Sequence, residues 1–309
     1  MSALPNLLTV FLVISIGATL RGTGAIVQED WRGFERITYF VLFPAMLMTT
    51  MATADLASTP FLAVGATLVL SLLTIAITML LLRPLLVRWL GMDGASFSSV
   101  FQGSIRWNSF VAFAMASSIY GKQGAALCAV AIAAMIPLLN VLAVGVIARY
   151  AAASRPTPIA FLKTLIKNPF IWSCLIGLAF RPFMAFVPSF IVAPLSMIGQ
   201  ISLAAGLLAA GGGLELTALR RPTWSHLLPS LAKLVAMPLI ASLFASLFSI
   251  SGTPLAVTLL CMAVPTASAS YILAKQLGGN AVLMAEILTL QTLAAMVSMP
   301  VILASLGQN

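Results

Sequence analysis

From Phe61 to Leu82 the chain runs for 22 residues without a charge, FLAVGATLVLSLLTIAITMLLL. A helix of that length crosses the hydrocarbon core of a bilayer, and an uncharged run of 18 or more residues reads as a membrane span. The run does not alternate apolar and polar residues, as a strand of a membrane barrel would. The whole chain has this character, with 61% hydrophobic and 7% charged residues, where a globular domain carries about 25% charged residues. The sequence therefore predicts one all-α polytopic membrane domain over 1–309, with no soluble domain in its loops.

The net charge of +9 does not indicate nucleic acid. The basic residues are scattered singly, with no basic stripe and no aromatic platform. Cys128, Cys174 and Cys261 lie in apolar runs without metal-ligand spacing or a nearby partner in sequence, and read as small packing residues. No cofactor or metal site is expected. Met1-Ser-Ala-Leu-Pro has neither a basic n-region nor a cleavage site, so the first span reads as retained.

Ten spans are predicted, near 4–24, 34–54, 61–87, 95–120, 123–149, 169–187, 190–213, 227–249, 254–277 and 280–305. The longest connection, about 150–168, holds Arg155-Pro-Thr-Pro and an amphipathic stretch from Phe161 to Lys167 that reads as lying at the membrane surface. It separates two related halves, about 1–150 and 168–309. Ile16-Gly17-Ala18-Thr19-Leu20-Arg21 returns as Ile176-Gly177-Leu178-Ala179-Phe180-Arg181, and Asp55-Leu56 as Glu215-Leu216. Asn108-Ser109 aligns with Pro265-Thr266, Tyr120-Gly121 with Leu277-Gly278, and Ala133-Ala134-Met135 with Ala294-Ala295-Met296. Five spans per half invert the second half in the membrane, an architecture recurrent in secondary transporters.

Lys and Arg set the orientation. Odd loops hold Arg21, Arg32, Arg36, Arg83, Arg88, Arg149, Arg155, Lys163, Lys167, Arg220, Arg221 and Lys275, whereas even loops hold only Lys122 and Arg181. The odd loops are thus expected in the cytoplasm and both termini outside.

The fourth and ninth spans are the least regular. The fourth buries Gly103, Ser104, Arg106, Asn108 and Ser109 near its middle, and Ser98, Gln102 and Arg106 recur every four residues on one face. An Arg at a helix centre costs about 2.5–3.5 kcal/mol on insertion scales, so it must face protein or water. In the ninth, Pro265 lacks an N–H and pushes its predecessor out of helical geometry, while Thr266, Ser268 and Ser270 can satisfy freed backbone groups. Interrupted helices at matching positions of two halves point to a transport site, and their N-terminal ends favour anions. Arg106 adds a planar fork for a carboxylate. The substrate-site candidates are Gln102, Arg106, Asn108, Ser109, Pro265, Thr266 and Ser268. Against this stands a plainer reading, in which Arg106 snorkels or pairs structurally and Pro265 is a kink.

Glu286 and Lys275 are the candidates for a coupling ion, though Glu286 also reads as an interfacial residue near a helix start. Lys233, one turn inside the eighth span, reads as snorkelling. His226, the single histidine, reads as a surface residue, with pH sensing as the alternative. Gly211-Gly212-Gly213 lacks the context of a phosphate loop and reads as close helix packing or a hinge. The fifteen Met residues read as core filler.

The sequence resembles the auxin efflux carrier family, the bacterial relatives of the plant PIN carriers, over nearly its whole length. The resemblance is carried by Arg106-Trp-Asn-Ser running on to Ile119-Tyr-Gly, Leu203 to Leu214, Val264-Pro-Thr-Ala running on to Ala274-Lys-Gln, Thr292 to Pro300, and Phe43-Pro44-Ala45. It implies ten helices in two inverted five-helix repeats, similar to the sodium–bile-acid symporter fold. It also implies a scaffold and a mobile transport domain whose broken helices cross at Asn108 and Pro265, moving in an elevator-like way. Met115 and Ser270 stand where plant carriers have further prolines, which predicts milder breaks. The third span lacks the acidic residue of plant members, so their ion-support site does not transfer. The implied activity is secondary transport of small mono- or dicarboxylates such as malonate or malate, with H+ or Na+ as coupling ions. The implied setting is the bacterial inner membrane, and a homodimer is an assembly it allows.

The alternative class is a membrane-embedded sensor or enzyme without transport. No His-Glu-x-x-His, Gly-x-Ser-x-Gly or Walker motif occurs in the sequence, so intramembrane hydrolysis and ATP-driven pumping have no sequence support. The orientation is testable by cysteine labelling. In Arg155→Cys and Asn309→Cys variants, a reagent confined to the periplasmic side is expected to reach position 309 and miss position 155. The reverse pattern would overturn the orientation and the inversion together.

Overall fold

The computed structural model describes residues 3–54, 60–151, 168–215 and 222–306. The linker with Arg155, the surface stretch 161–167, Asp55-Leu56, Leu216, Arg220 and Arg221 lie outside the described residues, as does Asn309.

All regular structure among the described residues is helical. In chain order it comprises α1 (Ala3–Gly22), α2 (Gln28–Ile37), α3 (Phe43–Thr53), α4 (Phe61–Leu90), α5 (Gly94–Ile105) and α6 (Ser109–Tyr150). Then come α7 (Pro169–Phe180), α8 (Ser189–Gly212), α9 (Trp224–Leu231), α10 (Met237–Leu247), α11 (Gly252–Ala263), α12 (Ala269–Leu277) and α13 (Ala281–Leu306). Seven segments are long and apolar enough to cross a membrane: Leu4–Gly22, Phe61–Leu90, Gly94–Tyr150, Pro169–Phe186, Ser189–Gly212, Trp224–Leu247 and Ala281–Ser305.

Three of the ten predicted spans are not separate members of that set, each for a local reason. The second begins as the polar helix α2, which carries Glu29, Asp30, Arg32, Glu35 and Arg36. The fourth and fifth form one helical run that turns at Gly121, where φ is +57° and ψ −142°. A side chain there would clash with its own backbone, so glycine is the residue that turns without strain. The ninth consists of the two short helices α11 and α12.

Two π-helical turns share one cause. Thr38–Leu42 precedes Pro44 at the start of α3, and Ala232–Ala236 precedes Pro238 at the start of α10. Proline lacks an N–H and its ring collides with the carbonyl four residues back. Widening the preceding turn, with Phe43 N–H bonded to Thr38 and Met237 N–H to Ala232, lets the helix run through the proline.

The helices pack in two groups. In one, α1 lies on α8, and α3 on α7 and α8. In the other, α11 packs on α6, α10 on α4 and α11, and α9 on α5, while α13 touches α5, α9, α11 and α12. The groups meet chiefly along α6. There Phe43 of α3 sits 4.6 Å from Phe110 and 5.9 Å from Phe113 of α6, and 5.0 Å from Phe170 of α7. The outer surface is apolar, as the exposed row Leu4, Leu8, Leu12 and Ile16 along α1 illustrates, which suits lipid.

Within the first group α1 and α8 come close enough for backbone to touch backbone. A Cβ on Gly17 would lie 2.2 Å from the Leu208 carbonyl oxygen, and one on Gly211 would lie 1.9 Å from that of Ile14. The glycine run therefore serves close helix packing, as small residues do in membrane helices. The expected outcome is that Gly211→Ala, which forces the helices apart, destabilises the detergent-solubilised protein by about 1–3 kcal/mol. Gly65→Ala meets nothing within 4 Å and is expected to leave stability unchanged or raise it by up to about 1 kcal/mol. Thermal melts of the two variants check this, and equal melting temperatures would refute the close approach.

Candidate functional site

The break in the first half begins where α5 ends. Asp93 caps the start of α5, its carboxylate accepting from Ser96 N–H at 2.8 Å. The Ser96 hydroxyl and the same N–H hold this loop carboxyl below its ordinary range, so its contribution to stability is present at neutral pH and lost on acidification. The helix stops at Ile105, and Arg106 is extended (φ −73°, ψ 155°). Asn108 then caps α6, its Oδ1 accepting from Phe110 N–H at 3.1 Å and Val111 N–H at 3.2 Å. A side chain that offers the backbone this alternative is a strong N-cap. In the second half α11 stops at Ala263, Val264 is extended, and α12 starts only at Ala269. Met115 and Ser270, which stand where further prolines are missing, lie inside the helices that follow the breaks, α6 and α12. The Asn108 cap in one half and Pro265 in the other suffice to end each helix.

The breaks meet. Asn108 N–H, which in a continuous helix would donate to Ser104, donates to the Pro265 carbonyl at 2.8 Å. Other backbone groups freed by the breaks are taken by side chains that the sequence did not single out for this. In an unbroken helix Thr266 N–H would bond the Met262 carbonyl. Instead Thr266 N–H donates to Gln291 Oε1 at 2.9 Å, and the Met262 carbonyl accepts from Lys233 Nζ at 3.0 Å. Gln291 Nε2 in turn donates to the Gly103 carbonyl at 2.8 Å. One buried amide on α13 thus ties both breaks together, a task that needs a donor and an acceptor on the same side chain. Thr266 Oγ1 lies 3.2 Å from Ser270 Oγ.

Lys233 does not snorkel. It is fully buried, with Nζ also 3.2 Å from Met237 Sδ. The freed carbonyl at the C-terminal end of α11, where the helix dipole is negative, draws it inward.

The remaining candidates divide. Gln102 is fully buried, and both its Oε1 and Nε2 lack a hydrogen-bond partner, as does the buried Nη1 of Arg106. Ser109 is buried at the start of α6. The N–H groups expected to await an anion are largely taken, those of Phe110 and Val111 by Asn108 and that of Thr266 by Gln291, so unfilled polar capacity here resides in side chains. Ser268 is placed apart from these. It lines an open cleft of about 490 Å³ with Tyr271, Arg21, Arg32, Glu35 and Glu215. In that cleft Arg21 pairs with the Glu215 carboxylate and donates to the Gly212 carbonyl, and Glu215 N–H donates to Thr289 Oγ1 at 3.0 Å. Lys275 is exposed in the last turn of α12, away from the breaks. Glu286 accepts from or donates to His226, Nε2 to Oε2 2.7 Å. His226 is therefore not a surface residue: it is buried, and its Nδ1 lies 3.0 Å from Thr223 N and 2.9 Å from Thr223 Oγ1. Cys128 and Cys261 also gain a neighbour, each other, with Sγ atoms 3.8 Å apart across α6 and α11.

Residues 153–303 match the family model described as membrane transport protein. Over these residues the chain is similar to this family, that of the auxin efflux carriers. The match begins before α7 and ends within α13, so it takes in Pro265, Thr266, Ser268 and the two linking side chains Lys233 and Gln291. No curated protein matches the chain. Members of the family are transporters, and helices apolar enough to cross a membrane fit that similarity.

Gln291 provides the test of this arrangement. Gln291→Leu strands Thr266 N–H and the Gly103 carbonyl, each at about 1–3 kcal/mol for a buried unsatisfied group. Gln291→Glu keeps the acceptor for Thr266 and loses the donor for Gly103. Both variants are expected to melt below wild type, with Leu the lower. A Gln291→Leu variant melting like wild type would overturn the bridging role.

Proposed function

We propose that this chain is a secondary carrier of small organic anions which binds a carboxylate where the two broken helices meet. The observation that carries the reading is the set of buried, unpartnered polar atoms beside the breaks: Arg106 Nη1, Trp107 Nε1 and both ends of the Gln102 amide. A buried polar group without a partner is costly, and a guanidinium with a free N–H suits a carboxylate oxygen. Asn108, Ser109, Pro265 and Thr266 frame that position, while the cleft that reaches Ser268 between Arg21 and Arg32 lies apart from it.

The same reading counts ten crossings. The run Gly94–Tyr150 divides at Gly121, and the π turn joins α2 to α3. The short pair α11 and α12 makes one more crossing beside the long segments. Five crossings in each half, inverted, place both termini on the outer side of a bacterial inner membrane. The group of α1, α3, α7 and α8 is then the scaffold, and the group built on α4–α6 and α9–α13 carries the substrate past it in an elevator-like displacement, coupled to H+ or Na+. Malonate and malate are the substrates of first choice.

Binding and stability measured on the same Arg106 variants test the proposal. Arg106→Ala is expected to weaken malonate or malate binding by roughly 1.5–3 kcal/mol, the range for hydrogen bonds to charged groups, while the apo protein melts as before. Arg106→Lys is expected to recover only part of the affinity, since an ammonium lacks the planar fork. Ordinary carboxylate affinity in a destabilised Arg106→Ala protein would give Arg106 a structural role and end the proposal.

A further inference from the structure

His226 and Glu286 are joined across the second group of helices by geometry that assigns the ring's protons. Thr223 N–H points at His226 Nδ1 from 3.0 Å. A backbone N–H is only a donor, so Nδ1 is the acceptor and the hydrogen of the neutral ring sits on Nε2. Nε2–H is then donated to Glu286 Oε2, 2.7 Å away. The ring also completes the cap of α9. Both side chains are nearly buried, 11% and 22% exposed, and Ala285, beside Glu286, lines the cleft with Ser268.

Among the described residues, the charged groups on the neighbouring elements are held elsewhere or exposed. Helix α9 packs on α5, α13 and the π turn 232–236, and α13 also meets α1, α11 and α12. The other ionisable side chains on those elements are Arg21, Lys233, Cys261, Tyr271 and Lys275. Arg21 is held by Glu215, and Lys233 by the Met262 carbonyl. Lys275 is exposed in the last turn of α12. Cys261 faces Cys128. The described residues of α5 itself, Gly94–Ile105, carry no charge.

We propose that His226 and Glu286 form the site that takes up the proton coupled to transport, with His226 as relay and Glu286 as seat. This rests on the carrier reading given above. A proton arrives on Nδ1, the Nε2 hydrogen passes to Glu286 Oε2, and the ring is left neutral with its hydrogen on Nδ1. One proton has entered, the carboxylate has become a carboxylic acid, and no other group has changed charge. The transfer has a structural consequence, because Nδ1–H can no longer accept from Thr223 N–H. The cap of α9 loosens, and α9 lies against α5, the helix that ends in the first break. Glu286 also shares α13 with Gln291, which binds both breaks. Imidazole is the side chain suited to this step, since one ring nitrogen can take a proton while the other gives one up.

Two measurements test the proposal, and the first needs no substrate. Amide exchange in the ligand-free wild type, corrected for the intrinsic rate, is expected to quicken at Thr223 to His226 by roughly five- to tenfold from pH 8 to pH 5.5, the factor that loss of one helix cap corresponds to. In His226→Gln, which has no ring nitrogen to relay a proton, the rate should not depend on pH. A pH-independent rate in wild type overturns the proton site whatever the substrate is. The second measurement uses proteoliposomes with malonate and malate. An imposed pH gradient should drive accumulation in wild type, and Glu286→Gln should lose it. Undiminished gradient-driven accumulation in Glu286→Gln overturns the coupling. Wild type that carries neither anion counts against the carboxylate reading, and the exchange measurement then judges the pair by itself.

Discussion

The structure depends on how hydrocarbon treats a broken helix. Water is absent there, so every N–H and carbonyl that a break releases must find a partner inside the protein. Two breaks set side by side solve part of the problem for each other, and the bond from Asn108 N–H to the Pro265 carbonyl is that solution. What it leaves over is met by two side chains from outside the broken helices, Gln291 and Lys233. Beside the breaks, the buried polar atoms still unmet after this are those of Gln102, Arg106 and Trp107. The N–H groups among them are donors that the protein's own hydrogen bonding leaves unused.

Helix α13 brings these elements together. Along it come Glu286, bonded to His226; Ile287, against Gly103; Thr289, bonded to Glu215; and Gln291, on both breaks. It touches both groups of helices, since Glu215 is held by Arg21 of α1. The cleft and the breaks are therefore both lined or held by residues of one helix.

The breaks were legible in the sequence because their causes are local. A proline in an apolar span and a polar cluster around Asn108 disturb a helix wherever they occur. Their partners were not legible. Gln291 lies 25 residues from Thr266 and 188 from Gly103, and nothing in an apolar segment marks one glutamine as a bridge. Lys233 and His226 were misjudged for a related reason. Lys near a span end snorkels and His beside a basic loop is exposed as a rule, but here a freed carbonyl and a carboxylate from another helix reverse each preference. The ten spans expected from the sequence and the seven long apolar segments part company where helices are polar, kinked or short, at α2, Gly121 and α11–α12.

The contact between the two helix groups differs in kind from the contacts within them. Inside the first group, Gly17 and Gly211 lock main chain against main chain. Between the groups stand aromatic rings, and among the described residues only three hydrogen-bond contacts cross: Asn6 to Ser118, Cys174 to Ala129 and Glu215 to Thr289. Rings attract through buried area, with about 0.5–1.5 kcal/mol more from the geometry of each pair. The seam between the groups is therefore held by area and ring geometry, and the first group by the fit of main chain on main chain.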